Sequence, residues 1–270
     1  MKLFSVILLA CCLFQGNESL AQSQSAYQLP DNFHFDYEVV QVLVSRKKLE
    51  DTCTMHFFYT KNGDYAAARI NRKVGTKGNL LVVINRDGTS VFFDEHNKSI
   101  TIISIRKLLS DLSGITKWIR MDSLIANMRN KTDGKDFHSA KTGITKKMGI
   151  YNSDEYSISV NKGSKGSVWL ANVDFNTQAD YLLGAIGGNF LKMLSGRMTA
   201  HPLFQAMTQP KTLVTDFNAG DSAGFDKMSM HTLSISQSSN TVSTSGYQVN
   251  NYSNMTLPEI FQAEMKKRNN

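Results

Sequence analysis

Alternation of apolar and polar side chains with a period of two restricts the fold of this chain more strongly than any other feature. The pattern begins at Phe33, Phe35 and Tyr37 and recurs in short segments along most of the sequence. This period indicates strands that bury one face. Six such segments lie between 33 and 104, and the rest lie between 138 and 172 and between 211 and 248. The whole pattern predicts about eleven strands.

Turn signals separate the segments, and no helical pattern intervenes within a series, which favours antiparallel pairing. The clearest signal is Asp87-Gly88, which lies between two runs of strong β formers and predicts a hairpin. A Ser-Ser-Asn turn at 238–240 predicts separate strands at 227–237 and 241–248. A slip in phase between Val39 and Val40 predicts a bulge or bend in the first strand.

Three regions have a helical period instead. They are 106–129, which Ser113-Gly114 divides, the nearly uncharged segment Gln178 to Met198, and Leu257 to Met265. A sheet of this size does not stay flat. The predicted fold is therefore mainly β (α+β): a large curved antiparallel sheet forms an unclosed half-barrel, and three or four helices cover its concave side.

The N-terminus has the order of an export signal. Lys2 is followed by the apolar run 3–14, a polar stretch and the small-residue pattern Ser19-Leu20-Ala21. We therefore divide the chain into a signal peptide (1–21), a linker (22–32), the half-barrel domain (33–250) and a C-terminal helix and tail (251–270). The predicted location is periplasmic or secreted, and lipidation of Cys11 in an outer-membrane lipoprotein is the alternative. Cys53, the one cysteine left after cleavage, fits a buried small apolar residue.

Catalytic and metal-binding patterns are weak. None of the six histidines has another histidine at i+2 or i+4, and the sequence contains no Gly-x-Ser-x-Gly. We predict no metal and no cofactor, and a hydrolase would need a triad assembled from distant strands. The net charge of +7 is far short of a nucleic-acid footprint, so no nucleic acid is expected. Dispersed basic pairs form a solvated rim that can face an anionic membrane surface.

Two stretches carry a family resemblance. The first is the strand series with Phe35-Asp36-Tyr37-Glu38, Phe57-Phe58-Tyr59 and Val91-Phe92-Phe93-Asp94. The second runs from Lys141 to Tyr156 and is followed by Val168-Trp169-Leu170-Ala171. Together they resemble a domain-of-unknown-function family of exported proteins, mostly from Bacteroidota. In the second stretch Ser153 stands where that family usually has cysteine. Such domains are similar in architecture to the LolA/LolB lipoprotein carriers, which implies an unclosed barrel with an apolar cavity.

The leading functional hypothesis is an exported, non-enzymatic protein that holds a hydrophobic ligand, such as a lipid or an acyl chain, in this cavity as an envelope carrier or chaperone. Gln178 to Met198 would form a flap. The residues expected to line the cavity and flap are Tyr181, Leu182, Ile186, Phe190, Leu191, Met193 and Trp169. The first alternative is a protein–protein interaction module with a filled core, and the second is the hydrolase.

Overall fold

The computed structural model describes residues 26–45, 52–72, 80–105, 107–108, 137–160, 164–177, 201–207, 209–218 and 228–269. Twelve strands and two helices lie in these ranges. The strands are β1 (Asn32–Ser45), β2 (Thr52–Tyr59), β3 (Tyr65–Arg72), β4 (Leu80–Asn85), β5 (Thr89–Asp94), β6 (Ser99–Ser104), β7 (Phe137–Met148), β8 (Tyr151–Val160), β9 (Ser164–Asn172), β10 (Thr212–Asn218), β11 (Met228–Ser243) and β12 (Gln248–Asn251). The helices are α1 (Pro202–Met207) and α2 (Leu257–Asn269).

All twelve strands belong to one unclosed sheet with the order β12-β6-β5-β4-β3-β2-β1-β11-β10-β9-β8-β7. Two meanders, β1–β6 and β7–β11, are joined where β1 pairs with β11. The predicted mainly β class is confirmed. The prediction of antiparallel pairing throughout is wrong for β12, which runs parallel to β6. The chain crosses from the end of β11 to β12 through residues 244–247, and this crossing sets the direction of β12. Thr244 N donates to Asp31 O at 2.9 Å at the start of the crossing, and Tyr252 N donates to Ile102 O at 2.8 Å just after β12.

The strand β11 differs from the prediction of two strands with a turn between them. It is continuous through the Ser-Ser-Asn segment, because β1 offers it a partner along its whole length, from Asn32 opposite Ser243 to Ser45 opposite Met228. Two register shifts absorb the difference in length. At one of them Leu233 has no opposite residue, and its side chain is 63% exposed.

The predicted bulge near Val39-Val40 is confirmed as a register shift between Val40 and Gln41. The slip in phase also implies that Val40, Val42 and Val44 take over the inward positions, and this part of the prediction is wrong. Val39 and then Gln41 are buried, so the original alternation continues past the shift. The extra residue lies on β11 rather than on β1, which explains why β1 keeps its phase.

The first core cluster shows how strongly the sheet bends. The rings of Phe33 in β1 and Phe93 in β5 lie 6.3 Å apart in edge-to-face geometry, although β2, β3 and β4 separate their strands. Neighbouring strands are about 4.8 Å apart, so a flat sheet would hold these rings about 19 Å apart. The cluster consists of Phe33, Phe35, Phe58, Ala67, Leu81, Val83, Val91, Phe93, Ile100 and Ile102. Its interior is filled by these side chains.

The sheet is also covered on its other face near β2. Phe58 and Tyr59 are adjacent and therefore point to opposite faces, yet both are buried and belong to different clusters. On the Tyr59 side the segment after β9 inserts Phe175, whose ring lies 4.4 Å from the ring of Tyr37 and 5.2 Å from that of Tyr59. The second cluster consists of Tyr37, Val39, Tyr59, Ala66, Ala171, Val173, Phe175 and Leu213.

The two helices pack at different places on the sheet. Leu203 of α1 is buried against Val168 and Leu170 of β9. Ile260 of α2 is buried against Leu108 and Tyr252. The Glu259 carboxylate caps the start of α2, since Thr256 N and Oγ1 both donate to Glu259 Oε2, at 2.7 and 2.8 Å. The helix predicted over Leu257 to Met265 is confirmed and extends to Asn269.

Two further predicted helices, 106–129 and 178–198, lie outside the described residues except for 107–108. The segment assigned to an N-terminal linker includes Tyr27 and Leu29, which pack on the first core cluster. The Tyr27 hydroxyl donates to Asn85 Oδ1 at 3.1 Å, and Asn251 Nδ2 donates to Tyr27 O at 2.8 Å. Burial raises the pKa of Tyr27 to about 12. Cys53 is half-buried in β2.

Candidate functional site

A pocket of about 300 Å³ lies between the β7–β8 end of the sheet and α1. It is lined by Ser139, Ala140, Lys141, Tyr156, His201, Pro202, Leu203 and Ala206. Pairing of β7 with β8 forms the sheet wall of the pocket. Lys141 lies directly opposite Tyr156, so their side chains are on the same face of the sheet. The burial of Leu203 against β9 fixes the helical wall.

The basic residues outnumber the acidic residues at the rim of this pocket. Lys141 Nζ lies 2.7 Å from Asp154 Oδ2, and Thr145 Oγ1 donates to Asp154 Oδ1 at 2.7 Å. The ammonium of Lys141 holds the pKa of Asp154 below its ordinary value, and the carboxylate raises the pKa of Lys141. Burial lowers the pKa of His201, and the nearby His138 lowers it further. His201 Nδ1 also accepts a hydrogen bond from Leu203 N at 3.2 Å.

Among the strands that the structure describes, β7 is the last one of the sheet on this side. Its pairing with β8 is regular from Phe137 to Lys141 and again from Thr145 to Met148, with a register shift between the two parts. The shift includes Gly143, whose φ of 83° favours glycine. Thr142 Oγ1 donates to Glu155 Oε2 at 2.9 Å beside it, and Ile144 is 56% exposed. The part of β7 that lines the pocket is therefore the regular N-terminal part.

A charged group lies near the C-terminal part of β7. Lys146 forms an ion pair with Asp216, and the same carboxylate contacts His231 Nδ1 at 2.9 Å. Lys146 Nζ also lies 4.6 Å from the centre of the Trp169 ring, in cation–π geometry. A carboxylate that orients a histidine supplies two of the three members of a catalytic triad. Among the hydrogen bonds of the described residues, none joins a hydroxyl or thiol to His231.

A second histidine–carboxylate pair occurs on the other meander. His56 Nδ1 lies 2.7 Å from Glu38 Oε1, with both side chains about one-quarter exposed (27% and 23%). It too has no hydrogen-bonded nucleophile in the part of the chain that the structure describes. The described residues also contain no cluster of three or more histidines, cysteines, aspartates or glutamates with the arrangement of a metal site.

A buried polar chain crosses the middle of the sheet. Gln41 Nε2 donates to Val214 O and to Thr232 Oγ1, and the Thr232 hydroxyl donates to Thr215 O at 2.6 Å. Thr215 Oγ1 and Ser153 Oγ lie 2.5 Å apart. The sequence patterns did not lead to a prediction of these buried hydrogen bonds. A polar residue, Gln41, at a strand position between Val39 and Leu43 was a signal that could have indicated them.

An aromatic group surrounds Phe175 beside Asp174. The Tyr37 hydroxyl donates to Asp174 Oδ2 at 3.1 Å, and the Tyr151 hydroxyl donates to Asp174 Oδ1. These donors, the Tyr151 hydroxyl first, hold the pKa of Asp174 below its ordinary value. Burial, followed by the Asp174 carboxylate, raises the pKa values of Tyr37 and Tyr151. Because Phe175 is fully buried between the rings, this group is already filled by the chain itself.

The predicted ligand-binding residues fall into two groups. Tyr181, Leu182, Ile186, Phe190, Leu191 and Met193 lie outside the described residues. Trp169 is half-buried in β9, pairs opposite Glu155 and Asp216, and contacts Lys146. Its described neighbours are thus mainly charged. Sequence reasoning did not indicate the pocket beside α1, because its two walls, 139–156 and 201–206, are far apart in sequence.

No protein-family model matches the chain, and no curated protein shows significant similarity to it. In the described residues, no helix combines the length and apolar character needed to cross a membrane. The arrangement of side chains is therefore the basis for a functional proposal.

Proposed function

We propose that this is an exported, non-enzymatic recognition protein that binds an extended segment of a partner polypeptide along the edge strand β7. The observation that carries the proposal is the position of the pocket directly beside the regular part of the sheet edge. An edge strand presents alternate N–H and C=O groups to an added strand, and a neighbouring pocket supplies specificity for a side chain.

The filled interior supports a recognition role over storage of a ligand in the first meander. Phe33, Leu81, Val83, Val91 and Phe93 are each at most 1% exposed. The bend that brings Phe33 to Phe93 supports a half-barrel for this part of the sheet. A packed interior leaves recognition to edges and surface pockets.

Selected peptides and backbone amide exchange test the proposal. A library of random twelve-residue peptides would be selected against the purified protein, and the binders would be synthesised. We expect bound peptide to slow amide exchange in 137–141. If the selected peptides bind but leave exchange in this part of β7 unchanged, the proposal is wrong.

Two proline variants sharpen this test. Adjacent residues of an edge strand direct their N–H groups to opposite sides, so one of Ser139→Pro and Ala140→Pro removes an outward donor and the other removes a bond to β8. We expect the variant that keeps the thermal stability of the unmodified protein to lose peptide binding. Lys147→Gln, at the far end of β7, is the matched control and should bind normally.

A carrier of a hydrophobic ligand is the second candidate function. The pocket favours it in one respect, since Tyr156, Pro202, Leu203 and Ala206 give it a largely apolar wall. In this proposal Gln178 to Met198, which lies outside the described residues, would serve as the flap, and the basic rim would contact an anionic membrane. Binding of a fluorescent fatty acid that Ala206→Trp abolishes would favour the carrier, and absence of binding would exclude it for this pocket.

A further inference from the structure

Building on the proposed function, we infer that the pocket between β7 and α1 binds the C-terminal residue of the extended partner segment. Its apolar side chain enters the pocket, and its terminal carboxylate lies beside Lys141 and His201. Pairing with β7 and entry of a side chain into the pocket belong to the proposed function; the new element is that the residue in the pocket is the C-terminal one and brings its carboxylate.

The size of the pocket fits one residue. Pockets for small ligands have volumes of about 300–1,000 Å³, and this one, at about 300 Å³, is at the lower limit. Its walls are Ala140, Tyr156, Pro202, Leu203 and Ala206, which offer aliphatic and aromatic surface. One terminal residue, with its apolar side chain and its carboxylate together, fits within this volume.

Two basic residues, Lys141 and His201, and no acidic residue are among the side chains that line the pocket. Burial and the nearby His138 lower the pKa of His201, so this side chain is positively charged only at acidic pH. Asp154 binds Lys141 and Thr145, so an incoming carboxylate would share Lys141 with Asp154. The twelve residues of β7 include three lysines and no acidic residue. A carboxylate placed here gains an interaction with Lys141 and, at acidic pH, with protonated His201.

A C-terminal residue combines these requirements. It carries an apolar side chain and a carboxylate on the same Cα atom, so both can reach one small pocket while the preceding residues pair with β7. An internal leucine would supply the side chain without the charge. A side-chain carboxylate would supply the charge without the apolar contact.

A peptide series tests the inference. The probe is acetyl-Thr-Thr-Val-Thr-X, with each of the twenty amino acids as X, made both as free acid and as C-terminal amide. We expect the free acids with X as Leu, Ile, Val or Phe to bind at least tenfold more tightly than their amides and than the peptide with X as Asp. Equal affinity of acid and amide would overturn the inference.

Variants assign the effect to the pocket. Lys141→Gln should reduce the preference for acid over amide to about threefold or less, and Ala206→Met should weaken binding of the apolar series by filling the pocket. Lys147→Gln is the matched loss of one charge outside the pocket and should keep the preference. His201→Asn retains a side-chain acceptor for Leu203 N and should remove the increase in affinity that lower pH gives. An unchanged preference in Lys141→Gln would contradict the inference.

The peptide binding and amide exchange measurements distinguish failure of the inference from failure of the proposed function. If acids and amides bind equally and both slow amide exchange in 137–141, pairing with β7 stands and the carboxylate site is wrong. If neither slows exchange there, even where peptides bind, both are wrong.

Discussion

The side-chain amide of Gln41 donates a hydrogen bond to Thr232 Oγ1 at 3.0 Å, and both residues are buried. The bond joins β1 to β11, the one pairing that connects the two meanders. A buried polar group is tolerated when it is hydrogen-bonded, and it becomes costly when its partner is lost.

We expect Gln41→Leu to lower the free energy of unfolding by about 1–3 kcal/mol, because Val214 O and Thr232 Oγ1 lose their donor in a buried site. Urea denaturation followed by circular dichroism measures this change. Gln237→Leu, at an exposed position of β11, is the control and should change stability by less than about 0.5 kcal/mol. Equal effects of the two substitutions would contradict the role assigned to Gln41.

We expect Phe33→Ala to destabilise the protein by about 3–5 kcal/mol, since it opens a cavity between Tyr65 and Phe93 in the first core cluster. Thermal or urea denaturation measures the loss. Phe261→Ala removes the same side chain from a position of α2 that is 49% exposed, and it should have little effect. A loss below about 1 kcal/mol for Phe33→Ala would show that this interior is not tightly packed.

Gly63 and Gly246 separate a backbone effect from a steric effect. Both have positive φ, at 72° and 79°, so alanine at either position costs about 1–2 kcal/mol. A Cβ atom at Gly63 would lie 2.6 Å from Asn176 Nδ2, whereas one at Gly246 would have no atom within 4 Å. We expect Gly63→Ala to be more destabilising than Gly246→Ala by a further ~1 kcal/mol in urea denaturation. Equal losses would mean that the 173–177 segment moves freely away from the turn.

Asp174 makes the free energy of unfolding decrease as the pH falls. Its pKa in the folded protein is below that of the unfolded chain, so its contribution is present above the unfolded pKa of about 3.9 and is lost as the pH falls further. We expect Asp174→Asn to flatten the fall in the urea midpoint below about pH 4. Tyr151→Phe, which removes the largest cause of the shift, should flatten it in part. An unchanged acid profile in both variants would contradict this assignment.

Local patterns accounted for most of the strands but not for all of their boundaries. The sequence patterns located β1 to β10, most clearly β1, in which Phe33, Phe35, Tyr37 and Val39 are buried in alternation. The same patterns divided β11 at Ser238-Ser239-Asn240, a sequence that favours a turn by itself, because the long partner β1 is distant in sequence and its influence is not visible locally. The parallel pairing of β12 was missed for a different reason, because a strand of four residues carries little periodic signal.

The candidate site was less predictable than the fold. Lys141 and Tyr156 are the ends of the stretch on which part of the expected family resemblance rests, but nothing in that stretch indicates that His201 or Leu203 lies beside it. Trp169 was expected in an apolar cavity, and the cation beside it comes from Lys146, two strands away in the sheet. The type of one side chain does not indicate which charged residues strand pairing will place next to it.

By itself the sequence determined that this chain is mainly β, because a side-chain period of two is a property of each strand and needs no partner. Tertiary structure alone decided which strands are neighbours, how far the sheet bends and which polar residues are buried. The Phe33–Phe93 contact, the Gln41–Thr232 hydrogen bond and the pocket between β7 and α1 all join residues that are far apart in sequence. The register of long-range pairing brings such residues together, and no local pattern contains that information.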